Sequence, residues 1–423
     1  MSAPFAKLPS SASISPTPFT VSIPDEQLND LKTLIRLSKI APPTYENLQS
    51  DGRFGVTSEW LSSMREKWVS EFDWRTFEAR MNSFPQFTTE IEGLTVHFAA
   101  LFSQREDAVP IALLHGWPGN FVEFYPILQL FSEEYSPETL PFHLIVPSLP
   151  GYTFSSGPPL DRDFGLVDIA RVVDQLMKDL GFGSGYVIQG GDIGSFVGRV
   201  LGVSFDACKA VHLNLCAMRA PPEGLSTESL TAAEKEGVAR MEKFMTNGLA
   251  YALEHSTRPS TIGHVLSSSP IALLAWVGEK YLQWVDEPLP STTILEMVSL
   301  YWLTESFPRA IYSYRETTPT ASVPNGATML QNELYIHKPF GFSFFPKDLC
   351  PVPRSWIATT GDLVFFQDHT EGGHFAALER PRELKADLTA FVEQLYLRSP
   401  IHNMSFLKNC TKIGMCRDMH KHD

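Results

Sequence analysis

The chain has 423 residues, of which 43% are apolar, and this length allows one large α/β domain with a substantial insertion. Its formal net charge of −14 argues against a surface that binds nucleic acid or anionic membranes. Because the start of the chain lacks the apolar segment of a secretory signal, and no apolar run approaches the roughly 20 residues of a membrane span, we expect a soluble protein without a membrane anchor.

Residues 1–87 are predicted to form an extension that wraps around the core, since helical patterns over 25–38 and 58–79 precede any strand pattern. From residue 88 to 216, short apolar segments alternate with helical ones. The predicted strands cover 90–102, 110–114, 142–147, 186–189 and 210–215, and the predicted helices cover 121–133 and 167–180. This alternation is typical of a doubly wound, mostly parallel sheet, so 88–216 is predicted to be the first part of an α/β core.

Residues 217–320 lack a strand pattern and are predicted to form a helical cap, inserted after the sixth strand. The predicted cap helices cover 230–253, 270–284 and 293–303. The second part of the core is predicted over 321–398, with strands over 333–345 and 355–359 and an amphipathic helix over 380–397. The tail, 399–423, has little periodicity and is predicted to be disordered.

The cysteines are five in number and widely scattered, as expected of reduced thiols in a cytoplasmic enzyme: Cys208, Cys216, Cys350, Cys410 and Cys416. The last two share the tail with His420 and His422. Their spacing matches no zinc-binding pattern, so the sequence predicts no metal site.

An aspartate occupies the centre of Gly190-Gly191-Asp192-Ile193-Gly194, directly after the predicted strand 186–189. Small residues two before and two after a central residue are typical of the nucleophile elbow of the α/β-hydrolase fold, where a serine usually attacks acyl carbons. A carboxylate can instead displace at an sp³ carbon, and the resulting ester can then be hydrolysed. Asp192 therefore indicates an epoxide or an alkyl halide as the electrophile.

A base and an orienting acid should follow the elbow in the chain. His374, after two glycines and before the final helix, is the predicted base, and His369 is a rival that lacks the Gly-Gly approach. Two aspartates could orient the base. Asp348 follows the predicted strand that ends at Phe345, and Asp362 is predicted to follow the next strand. The residues alone leave this choice open.

Two backbone N–H groups are predicted to form an oxyanion hole, those of Trp117 in His115-Gly116-Trp117-Pro118-Gly119 and of Ile193 after the nucleophile. Opening an epoxide also needs an acid for the leaving oxygen, and a phenol with a pKa of ~10 can serve. Periodicity does not choose among the tyrosines of the predicted cap: Tyr251, Tyr281, Tyr301, Tyr312 and Tyr314.

From Phe19 to the helix that begins near Arg380, the chain resembles epoxide hydrolases of the microsomal type, particularly soluble fungal members. Two stretches look like the N-terminal extension of that family, Phe72-Asp73-Trp74-Arg75 and Asn82-Ser83-Phe84-Pro85-Gln86-Phe87. Three others look like its core motifs: His115-Gly116-Trp117-Pro118-Gly119, Gly190-Gly191-Asp192-Ile193-Gly194-Ser195 and Gly372-Gly373-His374-Phe375-Ala376-Ala377. The tail after about Tyr396 matches nothing in the family, and the membrane anchor of mammalian relatives is absent.

The resemblance implies site residues that the pattern left open. The family's orienting acid lies in a motif similar to 344–349, which favours Asp348 over Asp362. Its two cap tyrosines match Tyr251 and, with Tyr312 as a near alternative, Tyr314. The resemblance also implies a homodimer, because the N-terminal extension resembles a segment that can embrace a second subunit.

The sequence thus predicts a cofactor-independent epoxide hydrolase, of the kind used in detoxification, that converts a small-molecule epoxide and water to a vicinal diol. Asp192 would form the ester, Tyr251 and Tyr314 would protonate the epoxide oxygen, and His374 would activate water. A haloalkane dehalogenase is the alternative, but it typically has a tryptophan directly after the aspartate, where this chain has Ile193. A non-catalytic relative would show a degraded triad, and all triad positions here are filled.

Overall fold

Nine strands form one sheet in the computed structural model, which describes residues 4–218, 220–318 and 334–398. In chain order they are β1 (Thr17–Phe19), β2 (Gln86–Ile91), β3 (Leu94–Leu101), β4 (Val109–Leu114), β5 (Phe142–Pro147), β6 (Tyr186–Gly190), β7 (Cys208–Leu213), β8 (Ile336–Phe344) and β9 (Gly361–Asp368). The spatial order is β1-β2-β3-β5-β4-β6-β7-β8-β9. The pairs from β1 to β5 are antiparallel and the pairs from β5 to β9 are parallel. The α/β-hydrolase prediction is confirmed.

The helices fall into three groups along the described chain. Before the main sheet come α1 (Asp25–Leu37), α2 (Ser58–Ser70) and α3 (Trp74–Met81); the first part of the core adds α4 (Tyr125–Glu134), α5 (Leu166–Met177) and α6 (Asp192–Ser204). Between β7 and β8 lie α7 (Ala232–Lys243), α8 (Ala250–Thr257), α9 (Pro259–Ser267), α10 (Pro270–Gln283), α11 (Ser291–Leu303), α12 (Phe307–Ala310) and α13 (Tyr314–Thr317). The remaining helices are α14 (Arg354–Ile357), α15 (Ala376–Glu379) and α16 (Pro381–Arg398).

The centre of the sheet is apolar because helices cover it. Every residue of β4, β5 and β6 is buried, as expected of parallel strands packed on both faces. Helix α5 packs against α6, and α16 packs against α4. The helical block α7 to α13 follows the sixth strand when the short β1 is left out of the count. It therefore lies where the cap was predicted, above the carboxyl ends of the parallel strands.

The N-terminal segment contacts both the sheet and the cap helices. Strand β1 pairs with β2, and the buried Trp68 on α2 donates its Nε1–H to Ser299 Oγ on α11 over 2.9 Å. Arg80 on α3 pairs with the buried Glu296 on the same cap helix at 2.6 Å. These contacts are what an extension that wraps the core would make.

Two predicted elements are divided in the structure. The helix predicted over 58–79 is two helices, α2 and α3, because Asp73 stops the run and caps α3 by accepting from Arg75 N–H over 3.0 Å. The strand predicted over 90–102 includes the end of β2, a two-residue turn and β3, which together belong to a hairpin. Its two turn residues, Glu92 and Gly93, both have positive φ (53° and 80°), as the tight hairpin turn requires.

The strand predicted over 355–359 is wrong. Residues 354–357 form α14, followed by a 3₁₀ turn over Ala358–Thr360, and the last strand is Gly361–Asp368. Trp356 and Ile357 lie on this helix and are buried. The prediction fails because a short apolar run is compatible with either a helix or a strand. Asp362 consequently lies near the start of β9 and not after a strand.

The cap helices also differ in detail from the prediction. The predicted helix over 230–253 is interrupted at Phe244–Gly248, and α9 had not been predicted. The tail, 399–423, and Glu333 lie outside the described residues. Within the described ranges, no single helix has the length and apolarity to cross a membrane, although the bent pair α9 and α10, which meet at 118°, passes that test together.

Candidate active site

The elbow between β6 and α6 holds Asp192 in a left-handed conformation, with φ at +45°. This conformation costs an L-residue about 1 kcal/mol and points the side chain away from the helix axis. The turn is closely packed. A Cβ at Gly190 would overlap the carbonyl group of Gly194, and a Cβ at Gly194 would overlap the carbonyl group of Leu114. The small residues predicted to surround the nucleophile are therefore required by space.

Loops that follow β8 and β9 bring an acid and a base to the elbow. Lys347 N–H donates to Gly372 O over 3.0 Å, which joins the two loops just before Asp348 and His374. His374 Nδ1 lies 2.7 Å from Asp348 Oδ1, and His374 Nε2 lies 3.3 Å from Asp192 Oδ2. Asp348 and His374 are both buried. The structure thus brings together the three residues of the predicted triad.

The rivals of these residues lie elsewhere. Asp362 is exposed at the start of β9, the opposite end from the loop that carries His374. His369 Nε2 lies 2.6 Å from Asp387 Oδ2, and that carboxylate also accepts a short hydrogen bond from Ser343. His369 therefore belongs to a separate polar network on the other side of β8.

His374 carries its proton between two carboxylates. Burial lowers the pKa of this imidazole, but the charge of Asp348 and the hydrogen bonds to Asp192 and Asp348 outweigh burial and raise the pKa to about 10. The ring is accordingly an imidazolium near pH 7. In this form Nδ1–H faces Asp348 and Nε2–H faces Asp192, so a change in the charge of Asp192 changes the basicity of His374.

One predicted oxyanion donor bonds to Asp192. Trp117 N–H, in the loop after β4, donates to Asp192 Oδ1 over 2.7 Å. Ile193 N–H lies in the first turn of α6, where backbone N–H groups have no partner within the helix. Trp117 thus holds one carboxylate oxygen, while Oδ2 faces His374.

Two cap tyrosines face Asp192 across one cavity. Tyr251 on α8 and Tyr314 on α13 have ring centroids 5.6 Å apart at 80°, and both rings pack against Trp117. With Asp192 and mostly apolar neighbours they line a cavity of about 70 Å³. Burial, and then nearby charge such as that of Asp192, raises the pKa of both phenols well above the ordinary value. Both are therefore neutral hydrogen-bond donors at neutral pH.

The other three cap tyrosines are bonded to backbone carbonyls. Tyr312 donates to Pro150 O over 2.8 Å, Tyr281 to Pro118 O over 3.0 Å and Tyr301 to Gly119 O over 2.9 Å. The Tyr314 hydroxyl, in contrast, is buried and bonds to no backbone group; it interacts with the hydroxyl of Tyr251. The structure thus distinguishes Tyr314 from Tyr312, which the pattern of residues could not do.

A second cavity, of about 20 Å³, also borders Asp192. It is lined by His374 and by polar groups that were not predicted, Glu123, Gln189 and Asn214. Burial raises the pKa of Glu123 to about 8, although the positive charge of His374 opposes the shift. A signal for Glu123 was present in the sequence: it is the one carboxylate in the apolar turn Phe121–Phe124, directly after the His115–Gly119 motif.

Two basic side chains behind the tyrosines were also missed. His255 has its ring 4.9 Å from that of Tyr314 and accepts from Trp276 Nε1–H over 3.0 Å, and burial lowers its pKa to about 3. Lys280 lies over the ring of Tyr251. No sequence signal marks either residue, since a charged residue in a cap helix is usually exposed. The described residues contain no group of three or more His, Cys, Asp or Glu side chains that could hold a metal ion.

Known proteins match the chain in sequence and in fold. A family model described as "Epoxide hydrolase N terminus" matches residues 16–124, and one described as "alpha/beta hydrolase fold" matches residues 109–238. The structure of Aspergillus niger epoxide hydrolase is 87% identical, has a TM-score of 0.89, and the match covers 92% of this chain and 99% of that one.

Curated relatives span both chains equally well. A protein from Dothistroma septosporum assigned to the epoxide hydrolases is 44% identical over 398 residues, which is 92% of each chain. Epoxide hydrolase 1 of Oryctolagus cuniculus is 31% identical over 410 residues, covering 89% of this chain and 88% of the other. Since such identity extends over nearly the whole length, the chain belongs to the epoxide hydrolase family and is a hydrolase that acts on epoxides.

Proposed function

We propose that the chain converts small epoxides into vicinal diols through an ester on Asp192. The observation that carries this proposal is the cavity in which a carboxylate in the elbow faces two neutral phenols, those of Tyr251 and Tyr314. Because Trp117 N–H holds Oδ1, the attacking atom is Oδ2. A bond forms between Oδ2 and an epoxide carbon, the C–O bond of the ring breaks, and its electron pair stays on the ring oxygen, which accepts hydrogen bonds from the phenols.

The first step prepares His374 for the second. Before attack, the imidazolium is stabilised by Asp192 and Asp348 together. Alkylation removes the charge of Asp192, so the pKa of His374 falls and its Nε2 proton can be released to neutralise the new alkoxide. His374 is then a neutral base, still oriented by Asp348.

Ester hydrolysis regenerates the starting state. His374 takes a proton from water, the water oxygen bonds to Cγ of Asp192, and the negative oxygen of the tetrahedral species accepts from the N–H groups of Trp117 and Ile193. Collapse breaks the bond between Cγ and the diol oxygen. Ester and water give carboxylate, diol and one proton. His374 retains that proton and is an imidazolium again.

Isotope labelling tests the covalent step. In a single turnover in ¹⁸O-water, we expect the first diol to be unlabelled, since its new oxygen comes from Asp192, and the label to enter the Asp192 peptide.

His374→Gln should accumulate an adduct of the substrate mass on that peptide. His369→Gln, which alters a histidine outside the site, is the control and should turn over without accumulating the adduct. Label in the first diol would show direct attack by water and would contradict the proposal.

We also propose that the chain forms a homodimer through its N-terminal segment. Large apolar side chains are exposed there, including Leu37 at 74%, Tyr45 at 65% and Leu48 at 63%. Deleting residues 1–40 would remove β1 and buried residues of α1, so substitution is the better test. Leu37→Glu with Leu48→Glu should halve the mass measured by light scattering, and an unchanged mass would contradict this interface. A cytoplasmic location stays a prediction from the sequence.

A further inference from the structure

A lysine is buried behind one of the two phenols. Lys280, on α10, is only 4% exposed, and its Nζ lies 4.5 Å from the ring centroid of Tyr251. The rings of Trp276 and Trp284 are both 5.8 Å from the same Nζ, so the ammonium group lies among three aromatic rings. The position is costly, since burial removes the hydration of the ammonium and lowers the pKa of Lys280.

Packing alone does not account for this choice of residue. A leucine or methionine could fill a site among aromatic rings without a desolvation cost. An ammonium over an aromatic face is attracted to the electron density of the ring. That attraction grows when the ring gains negative charge, as a phenol does when it gives up its proton, because the charge of a phenolate spreads into the ring.

We propose that Lys280 is a positioning residue that acts through Tyr251, stabilising the negative charge that develops on this phenol as it protonates the epoxide oxygen. This inference rests on the proposed function, in which Tyr251 is an acid. It assigns Lys280 to the alkylation step, because ester hydrolysis depends on His374 and Asp348. Substrate binding in the ground state, where the phenol is neutral, should depend little on the ammonium.

The groups around Tyr251 act in opposite directions on a negative charge at its phenol: the hydrogen bond from Tyr314 favours it, and the nearby negative charges disfavour it. The titratable or charged groups that face the ring are Asp192 on α6, His255 on α8, Glu279 and Lys280 on α10, Tyr314 on α13 and Cys350 after β8. Asp192 and Glu279 disfavour negative charge on the phenol, and His255 is neutral. Lys280 is therefore the cation in this described set.

Glu279 provides a matched test, because it precedes Lys280 and acts on Tyr251 with the opposite sign. Its Oε1 lies 2.9 Å from Lys280 Nζ, and its charge raises the pKa of the Tyr251 phenol. If the lysine acts electrostatically, removing the two charges one at a time should change the alkylation rate in opposite directions. If the pair merely holds α10 in place, the two removals should change the rate in the same direction.

The experiment compares Lys280→Met and Glu279→Gln by stopped-flow single turnovers with styrene oxide, followed by the fluorescence of Trp117 and Trp284. We expect Lys280→Met to alkylate about tenfold more slowly, with the dissociation constant of the substrate and the hydrolysis rate unchanged. Glu279→Gln should alkylate at least as fast as the wild type. Lys280→Arg, which keeps the charge, should restore most of the rate, and the melting temperature checks that each variant is folded.

A double substitution separates this inference from the proposed function. Tyr251→Phe should slow alkylation, and in that background Lys280→Met should have no further effect, because the group through which it acts is gone. Three outcomes would overturn the role of Lys280 alone. Lys280→Met could alkylate at the wild-type rate, or both Lys280→Met and Glu279→Gln could alkylate more slowly. The third is that Lys280→Met still slows alkylation in the Tyr251→Phe background. Alkylation that does not depend on Tyr251 would overturn the proposed acid and the role of Lys280 together.

Discussion

The position of the nucleophile can be tested with a single methyl group. A Cβ on Gly116 would overlap Asp192 Oδ1 and would lie 2.6 Å from Asp192 Cγ, whereas ordinary contact begins at 3.4 Å. Gly116→Ala must therefore displace the carboxylate or the loop by roughly 1 Å, because Oδ1 and Cβ of Asp192 would lie even closer to the new methyl group than Cγ does. Asp192 cannot retreat freely, because its backbone is fixed at the start of α6 and Trp117 N–H holds Oδ1.

Misplacement of a reacting group by about 1 Å costs on the order of 10²-fold in rate. We therefore expect Gly116→Ala to alkylate roughly 10²-fold more slowly than the wild type. Overpacking of a closely packed site costs about 1–3 kcal/mol in the free energy of unfolding, which a protein of this size can tolerate. The variant should remain folded at 25 °C, so the loss of rate should come from geometry.

Single-turnover alkylation measures the rate, and urea denaturation measures the stability. Gly157→Ala is the matched control, because its Cβ would lie 3.5 Å from the side chain of Arg309, an ordinary contact. The control should change neither quantity. If Gly116→Ala is folded and alkylates within a factor of three of the wild type, the carboxylate is not held where the structure has it, and the reasoning is wrong.

Four further variants give distinct expectations. Tyr314→Phe should slow alkylation about 10- to 100-fold with little loss of stability, since its hydroxyl bonds to no backbone group. Tyr312→Phe should lose about 1 kcal/mol of stability and keep its alkylation rate, since its hydroxyl bonds to Pro150 O. Asp348→Asn should slow ester hydrolysis on the order of 10³-fold, measured as accumulation of the adduct, because His374 loses its orienting charge. Burial raises the pKa of Glu123 from 4.5 to about 8, so the stability of the wild type falls as the pH rises through that window. The melting temperature of Glu123→Gln should therefore equal that of the wild type near pH 4 and exceed it by a growing amount between pH 5 and 8. A difference in melting temperature that does not change with pH would contradict the raised pKa of a buried Glu123 carboxyl.

The parts of the fold that the sequence predicts well are those where one physical requirement dominates. Strands β4, β5 and β6 are buried on both faces, so each is an uninterrupted apolar run of strand length. The elbow is marked by glycines because the backbone of β4 approaches it too closely for a side chain. Strand β9 escapes prediction because it lies at the sheet edge with partly exposed residues and begins with Gly361 and Asp362.

The site residues also fall into two groups, those that the local sequence predicts and those that it does not. Asp192 and His374 follow backbone turns that the local sequence encodes, whereas Tyr314 and Lys280 owe their positions to the packing of cap helices. Helix α13 has only four residues, too few for any periodicity, and the burial of Lys280 depends on rings from other parts of the chain. Tertiary packing alone determines which cap residue faces the nucleophile.

The hydrogen bond from Trp117 N–H makes the two oxygens of Asp192 unequal before any substrate arrives. In the proposed mechanism, Oδ1 would stay in place through both half-reactions, first as the held carboxylate oxygen and then as the carbonyl oxygen of the ester. Only Oδ2 would pass to the diol, and an oxygen atom from water would replace it on Asp192. An enzyme cycled through many turnovers in ¹⁸O-water should consequently carry a single heavy oxygen on this side chain, and its next product in ordinary water should carry that atom away.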